Sequence, residues 1–138
     1  MVDKIAVIGA GGKMGKWVCN YLSKKKYDVV GYDNENSPPK AVTLGKSLIS
    51  SILNVDYVIL CTPTKKTPEI IRLIGKEMKR GAKLVDISSQ KSKTSTSLGK
   101  VPNKITPVCI HPMFGPGVKN IKNRNIISIP IKDGKKEL

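Results

Sequence analysis

A single histidine serves the whole 138-residue chain, and it stands in "CIHPMFGPG", residues 109–117. An imidazole titrates near neutrality, with an ordinary pKa of about 6.5, which makes His111 the natural candidate for a general base. An apolar run precedes it, and Pro112, Gly115, Pro116 and Gly117 turn the chain into a loop behind it. Upstream, "DISSQK" (86–91) sets Ser88, Ser89 and Lys91 behind another apolar run. If the two strands are neighbours, Ser89 could face His111 and fix its tautomer or hold a substrate. Position alone equally allows His111 to cap its strand by bonding a backbone carbonyl. A serine hydrolase fits poorly, because no G-x-S-x-G elbow surrounds either serine. A lone histidine without partners at ligand spacing argues against a metal site.

A second constellation opens the chain. "GAGGKMGK" (9–16) follows the apolar "KIAVIG" and leads into a helical pattern. Such a loop supplies a tight turn, backbone close enough to touch a pyrophosphate, and a small residue where helix meets strand. The helix N-terminus then offers N–H groups and partial positive charge to phosphate. In the register G-x-G-x-x-G the positions are Ala10, Gly12 and Gly15, with Gly9 and Gly11 as extra glycines, so Ala10 is expected to make the first turn at a φ that alanine tolerates. Gly9, Ala10, Gly11, Gly12, Lys13, Met14 and Gly15 are the phosphate-binding candidates. Asp33, in "GYDNEN", stands where a carboxylate bonds the adenosine ribose, or else is a plain turn aspartate. Glu35 follows, and no arginine is near to receive a 2′-phosphate, so NAD is favoured over NADP. In "CTPT" (61–64), Pro63 frees the chain from the sheet and leaves Cys61, Thr62 and Pro63 to line the cofactor.

The elements that must position these groups alternate along the chain. Strands are expected over 4–9, 27–33, 55–63, 83–89, 105–112 and 125–131. Met14, Trp17, Val18, Tyr21 and Leu22 recur at helical spacing up to Lys24, Lys25 and Lys26. Residues 40–53 favour a helix weakly. Thr67 is expected as the N-cap and Pro68 as the first-turn proline of a helix carrying Ile70, Ile71, Ile74 and Met78. The Lys-, Ser- and Thr-rich 90–104 reads as surface loop with a weak helix. Strand, helix, strand at this spacing predicts an α/β fold: one domain over 1–138, Rossmann-type and doubly wound, with helices on both faces of a mainly parallel sheet.

A formal charge of +15 raises nucleic acid as a partner. The excess is lysine, with Arg72, Arg80 and Arg124 as the only arginines, whereas base and phosphate recognition favours the arginine fork. Aromatics at 4% are too few for a stacking platform. The reading is a lysine-rich surface, no nucleic-acid partner, and steering of an anionic ligand. No apolar run is long enough for a membrane span. Cys19, Cys61 and Cys109 form no CxxC pair, which fits reduced thiols in a cytoplasmic protein.

Taken in order, "GAGGKMGK", "VDISSQK" and "HPMFGPG" resemble the N-terminal domain of prephenate dehydrogenase. D-x-x-S-x-K with HPMFGP is the specific part; the glycine loop is common to many dehydrogenases. The resemblance implies NAD-dependent oxidative decarboxylation of prephenate to 4-hydroxyphenylpyruvate in tyrosine biosynthesis, with arogenate as an alternative substrate. It implies that His111 accepts the hydrogen bond or proton of the ring hydroxyl, and that Ser89 bonds near that hydroxyl and the nicotinamide. Gln90 stands where the family more often has an apolar residue. The family also has a helical C-terminal domain, absent from this chain, which makes a homodimer, completes the substrate pocket and supplies an arginine for a carboxylate. A stand-alone NAD-binding regulatory module without catalysis is the alternative from another class.

Overall fold

Alternation along the first strand decides the layering. In a strand, successive side chains point to opposite faces. Ile5 and Val7 join one buried cluster with Val18, Cys19 and Val29, while Ala6 and Ile8 join another with Ile52, Ile71, Ile74 and Leu98. The structure, a computed structural model, describes residues 2–88, 92–119 and 121–131. Its elements are β1 (Lys4–Ile8), α1 (Lys13–Lys24), β2 (Asp28–Tyr32), β3 (Thr43–Leu44), α2 (Leu48–Ile52), β4 (Tyr57–Leu60), α3 (Thr67–Gly75), β5 (Lys83–Asp86), α4 (Ser92–Leu98), β6 (Thr106–Pro112) and β7 (Ile126–Ser128). Helix α1 therefore covers one face of the sheet and α2, α3 and α4 the other. Ile71, Ile74 and Leu84 are almost wholly buried, each worth about 2 kcal/mol relative to exposure.

The strand order is β3-β2-β1-β4-β5-β6-β7. All neighbours pair in parallel except β6 and β7. The fold is thus α/β and Rossmann-like, with its order reversing between β1 and β4. Register aligns the strand ends: Ile8 lies opposite Tyr32 and Leu60, Leu60 opposite Asp86, and Asp86 opposite Cys109. Gly9, Asp33 and Cys61 each follow one residue beyond that common line, and His111 follows two residues beyond Cys109.

Two local expectations are corrected and a third is refined. Residues 40–53 are not one helix, because Thr43 and Leu44 add a strand beside Val30 and Gly31. The Gly45 amide donates to the Gly31 carbonyl at 2.8 Å, and Ser47 then starts α2 with a capping box to Ser50. Thr67 is inside α3, not its cap: Lys66 holds the cap position. The buried Thr67 hydroxyl instead meets the Thr62 hydroxyl at 2.6 Å and the Pro63 carbonyl at 3.1 Å. In 90–104 the weak helix expected beside the surface loop forms as α4, and it has a buried face. In α4, Thr94 and Leu98 fall one turn apart on the buried face, and the hydroxyls of Ser95, Thr96 and Ser97 donate back to carbonyls of their own helix.

Candidate functional site

Gly9 makes the first turn of the loop, at φ +84. The first-glycine job therefore falls to Gly9 and not, as the sequence register suggested, to Ala10. Ala10 is fully buried with ordinary φ, and its amide donates to the Tyr32 carbonyl at 3.1 Å. Gly15 sits where α1 meets this turn, and a Cβ there would run into the Gly9 carbonyl. Gly12 is the N-cap of α1, and no side-chain cap bonds the first turn. A Cβ on Gly12 would meet only the Gly9 oxygen, at 3.6 Å, so the backbone there is open to approach. An uncapped, open helix start of this kind could hold a phosphate. Lys13 is exposed and lines a different groove, while Met14 packs into the cluster beneath α1.

Asp33 ties this loop to the next one. Its Oδ2 accepts the Gly11 amide at 2.9 Å, and its Oδ1 accepts the amides of Glu35 at 2.8 Å and Asn36 at 3.0 Å. Burial acts to raise its pKa, but the three amides and the nearby Lys66 charge together hold the carboxyl below its ordinary range. A cleft of about 590 Å³ opens beside it. Gly9, Gly12, Asp33, Cys61, Thr62 and Pro63, all foreseen in the sequence, line the cleft. So do Tyr32, Asn34, Glu35, Asn36, Lys66, Glu69, Ile70 and Leu73, from loops and the α3 face that sequence spacing did not bring together. Lys66 bonds Glu35 at 3.1 Å across the mouth. The volume and the mix of apolar wall with convergent polar groups suit a nucleotide.

His111 lies outside this cleft, half-buried on β6, two strands along from β4. Between them, at the end of β5, Asp86 is completely buried and accepts the Ser88 amide at 3.1 Å and the Ser88 hydroxyl at 3.0 Å. Asp86 is the first residue of the D-x-x-S-x-K motif, and the motif alone assigned it no role. Ser89 lies outside the described residues. Burial pushes the Cys61 thiol up, with Cys19 and Asp86 adding to it, so it lines the cleft as a neutral group. Among the described residues no three His, Cys, Asp or Glu side chains gather for a metal ion, and no helix is long and apolar enough to cross a membrane.

Residues 20–127 match the family model described as prephenate dehydrogenase, nucleotide-binding domain. The chain belongs to the prephenate dehydrogenase family. Its matched region takes in Asp33, the Cys61–Pro63 loop and His111, and the glycine loop lies just ahead of it. Among relatives, a probable arogenate/prephenate dehydrogenase of Methanocaldococcus jannaschii is 29% identical over 133 residues, covering 91% of this chain and 30% of the relative. Arogenate dehydrogenase 1 of Arabidopsis thaliana, a chloroplastic protein, is 28% identical over 82% of this chain and 19% of its own length. The chain thus spans a third or less of these family members. A semialdehyde dehydrogenase NAD-binding protein from Cupriavidus necator, solved with calcium and NAD, superposes with a TM-score of 0.65 at 26% identity, over 82% of this chain and 42% of that one.

Proposed function

We propose that this chain is the NAD-binding domain of a dehydrogenase that oxidatively decarboxylates prephenate to 4-hydroxyphenylpyruvate. The observation that carries the reading is the common line of strand ends, which puts Gly9, Asp33, Cys61 and His111 along one edge of the sheet. Ligands of open α/β sheets bind on that edge, at the point where strand order reverses.

NAD, when bound, accepts the hydride from the ring carbon that bears the hydroxyl. The start of α1 at Gly12 receives the pyrophosphate, the Gly11 amide stays with Asp33, and Asp33 receives the adenosine ribose hydroxyls. Cys61, Thr62 and Pro63 wall the cofactor's path toward β5. His111 accepts the hydroxyl proton as the carbonyl forms; CO₂ leaves, and the oxygen takes a proton back as the ring becomes aromatic. Ser89 holds the same hydroxyl. A helical domain beyond Leu138 completes the substrate pocket and makes the homodimer.

Two substrates fit, because one relative's name carries both arogenate and prephenate and another's carries arogenate alone. NADH absorbance at fixed NAD⁺, with prephenate and then arogenate, decides between them on the full-length chain. His111→Asn is expected to keep NAD⁺ affinity while turnover falls by about a hundredfold or more. NADH formed at the wild-type rate by that variant would remove His111 from the mechanism. Tight NAD⁺ binding with no turnover of either acid would favour the regulatory module.

A further inference from the structure

The chain leaves β6 at Met113 and returns to β7 at Asn125, where the Met113 amide donates to the Asn125 carbonyl at 2.8 Å. In between, it does not stay beside its own strand. Phe114 and Val118 reach α1, the helix that grows out of the glycine loop, although β6 and β1 stand three places apart in the sheet. Trp17 makes the junction. Its Nε1–H donates to the Val118 carbonyl across 101 residues of sequence, and its ring meets Phe114 at 5.3 Å between centroids. Tyr21 stacks behind it at 5.1 Å and 12°, holding the indole at a fixed angle.

Among the described residues, no other hydrogen bond or ring contact joins the two segments. A groove of about 570 Å³ runs between them, with Lys13, Lys16 and Lys24 on the helix wall and Lys119 on the facing one. Among the described residues no acid lines it, so charge pushes the two walls apart. Gly115 and Gly117 have open space where side chains would be and do not brace the excursion. One aromatic side chain therefore sets where the segment after His111 lies relative to the phosphate-binding end of α1.

We infer that Trp17 is a positioning residue, coupling the nucleotide-binding helix to the segment that carries His111, so that cofactor binding orders the catalytic side of the site. The inference rests on the reading of His111 given above, but its test has a readout that does not. Hydrogen–deuterium exchange on the full-length chain, with and without saturating NAD⁺, reads the segment 113–119 directly. Trp17→Phe keeps an aromatic ring while removing the N–H donor and the second ring of the indole, and Trp17→Ala removes the junction. In Trp17→Phe, exchange over 113–119 is expected to rise at least about threefold, with β1 and β4 unchanged. NAD⁺ should slow that exchange in the parent and much less in the variant. With substrate, kcat is expected to fall about tenfold while the KM for NAD⁺ stays within about twofold, since misplacement of a positioned group costs turnover first.

Unchanged exchange over 113–119 in both variants overturns the inference. So does faster exchange spread equally through β1 and β4, which would make Trp17 a plain core residue, and so does faster exchange with unaltered kcat. A parent chain that turns over neither acid sinks the proposed reaction, while the NAD⁺-dependent exchange still decides for or against the coupling.

Discussion

The Gly11 amide donates to Asp33 Oδ2 at 2.9 Å, so the glycine loop and the loop after β2 are one hydrogen-bonded unit. In Asp33→Asn, an NH₂ group must take one of the two carboxylate positions, and it cannot accept from Gly11 or from Glu35 and Asn36. Hydrogen bonds to a charged group are worth about 1.5–3 kcal/mol. NAD⁺ affinity is therefore expected to drop about ten- to a hundredfold by calorimetry. Because the folded carboxyl titrates below its ordinary range, its stabilising effect is full above the unfolded value of about 3.9 and is lost as pH falls through the lower folded value. Melting temperature should thus fall more steeply below pH 4 in the parent than in Asp33→Asn. Parallel curves would mean that the carboxylate does not hold the loops.

Lys66 qualifies the preference for NAD. The Asp33 side of the cleft contains a cation after all, but Glu35 engages it at 3.1 Å. The pair is exposed, so it contributes little stability; its consequence lies in charge. Glu35→Gln is expected to leave folding unchanged and to free Lys66 for a 2′-phosphate, narrowing the NAD⁺ to NADP⁺ affinity ratio about tenfold. Adding Lys66→Ala should restore the discrimination. An unchanged ratio in Glu35→Gln would leave Asp33 alone as the selector.

Much of this was legible because it is local. The glycine loop, the acid ending β2 and the proline after β4 each follow an apolar run, and that succession is what a parallel sheet requires. Helix α4 gives only a weak signal in the sequence because its buried face rests on Thr94 and Leu98 amid serines and lysines, too sparse for a periodic pattern. The strand at Thr43–Leu44 exists only through pairing with β2, a tertiary bond that overrides local preference. Lys66 beside Asp33 and Trp17 against Val118 join segments 33 and 101 residues apart, and no single-sequence spacing carries such pairs. Asp86 stood in the D-x-x-S-x-K motif, but its burial and its bonds to Ser88 come from packing at the end of β5 and carry no sequence signal.

The cysteines should be silent in the native protein. Burial pushes Cys19 up to about 12, and Cys61 is raised as well, while Cys109 is fully buried. Thiolate is the reactive form, so iodoacetamide at pH 8 is expected to label all three slowly until urea unfolds the chain. Bound NAD⁺ should protect Cys61 further, because it lines the cleft. Rapid native labelling of Cys61 would show that the cleft floor is more open to solvent than its packing implies.

Two neighbouring glycines separate folding from binding. At Gly9, φ is +84 and a Cβ would run into the Cys61 carbonyl, so Gly9→Ala is strained twice, at a cost of about 2 kcal/mol or more. Urea titration should show that loss directly. At Gly12 the backbone is extended, at φ −76 and ψ 172, and an added methyl meets only ordinary contact. Gly12→Ala should therefore cost about 1 kcal/mol or less, but its methyl would stand where the pyrophosphate approaches. The expected result is a nearly normal unfolding midpoint with NAD⁺ affinity at least about tenfold weaker. Equal losses of stability and affinity in both variants would mean that the loop serves the fold alone. An undiminished affinity in Gly12→Ala would move the phosphate away from the start of α1.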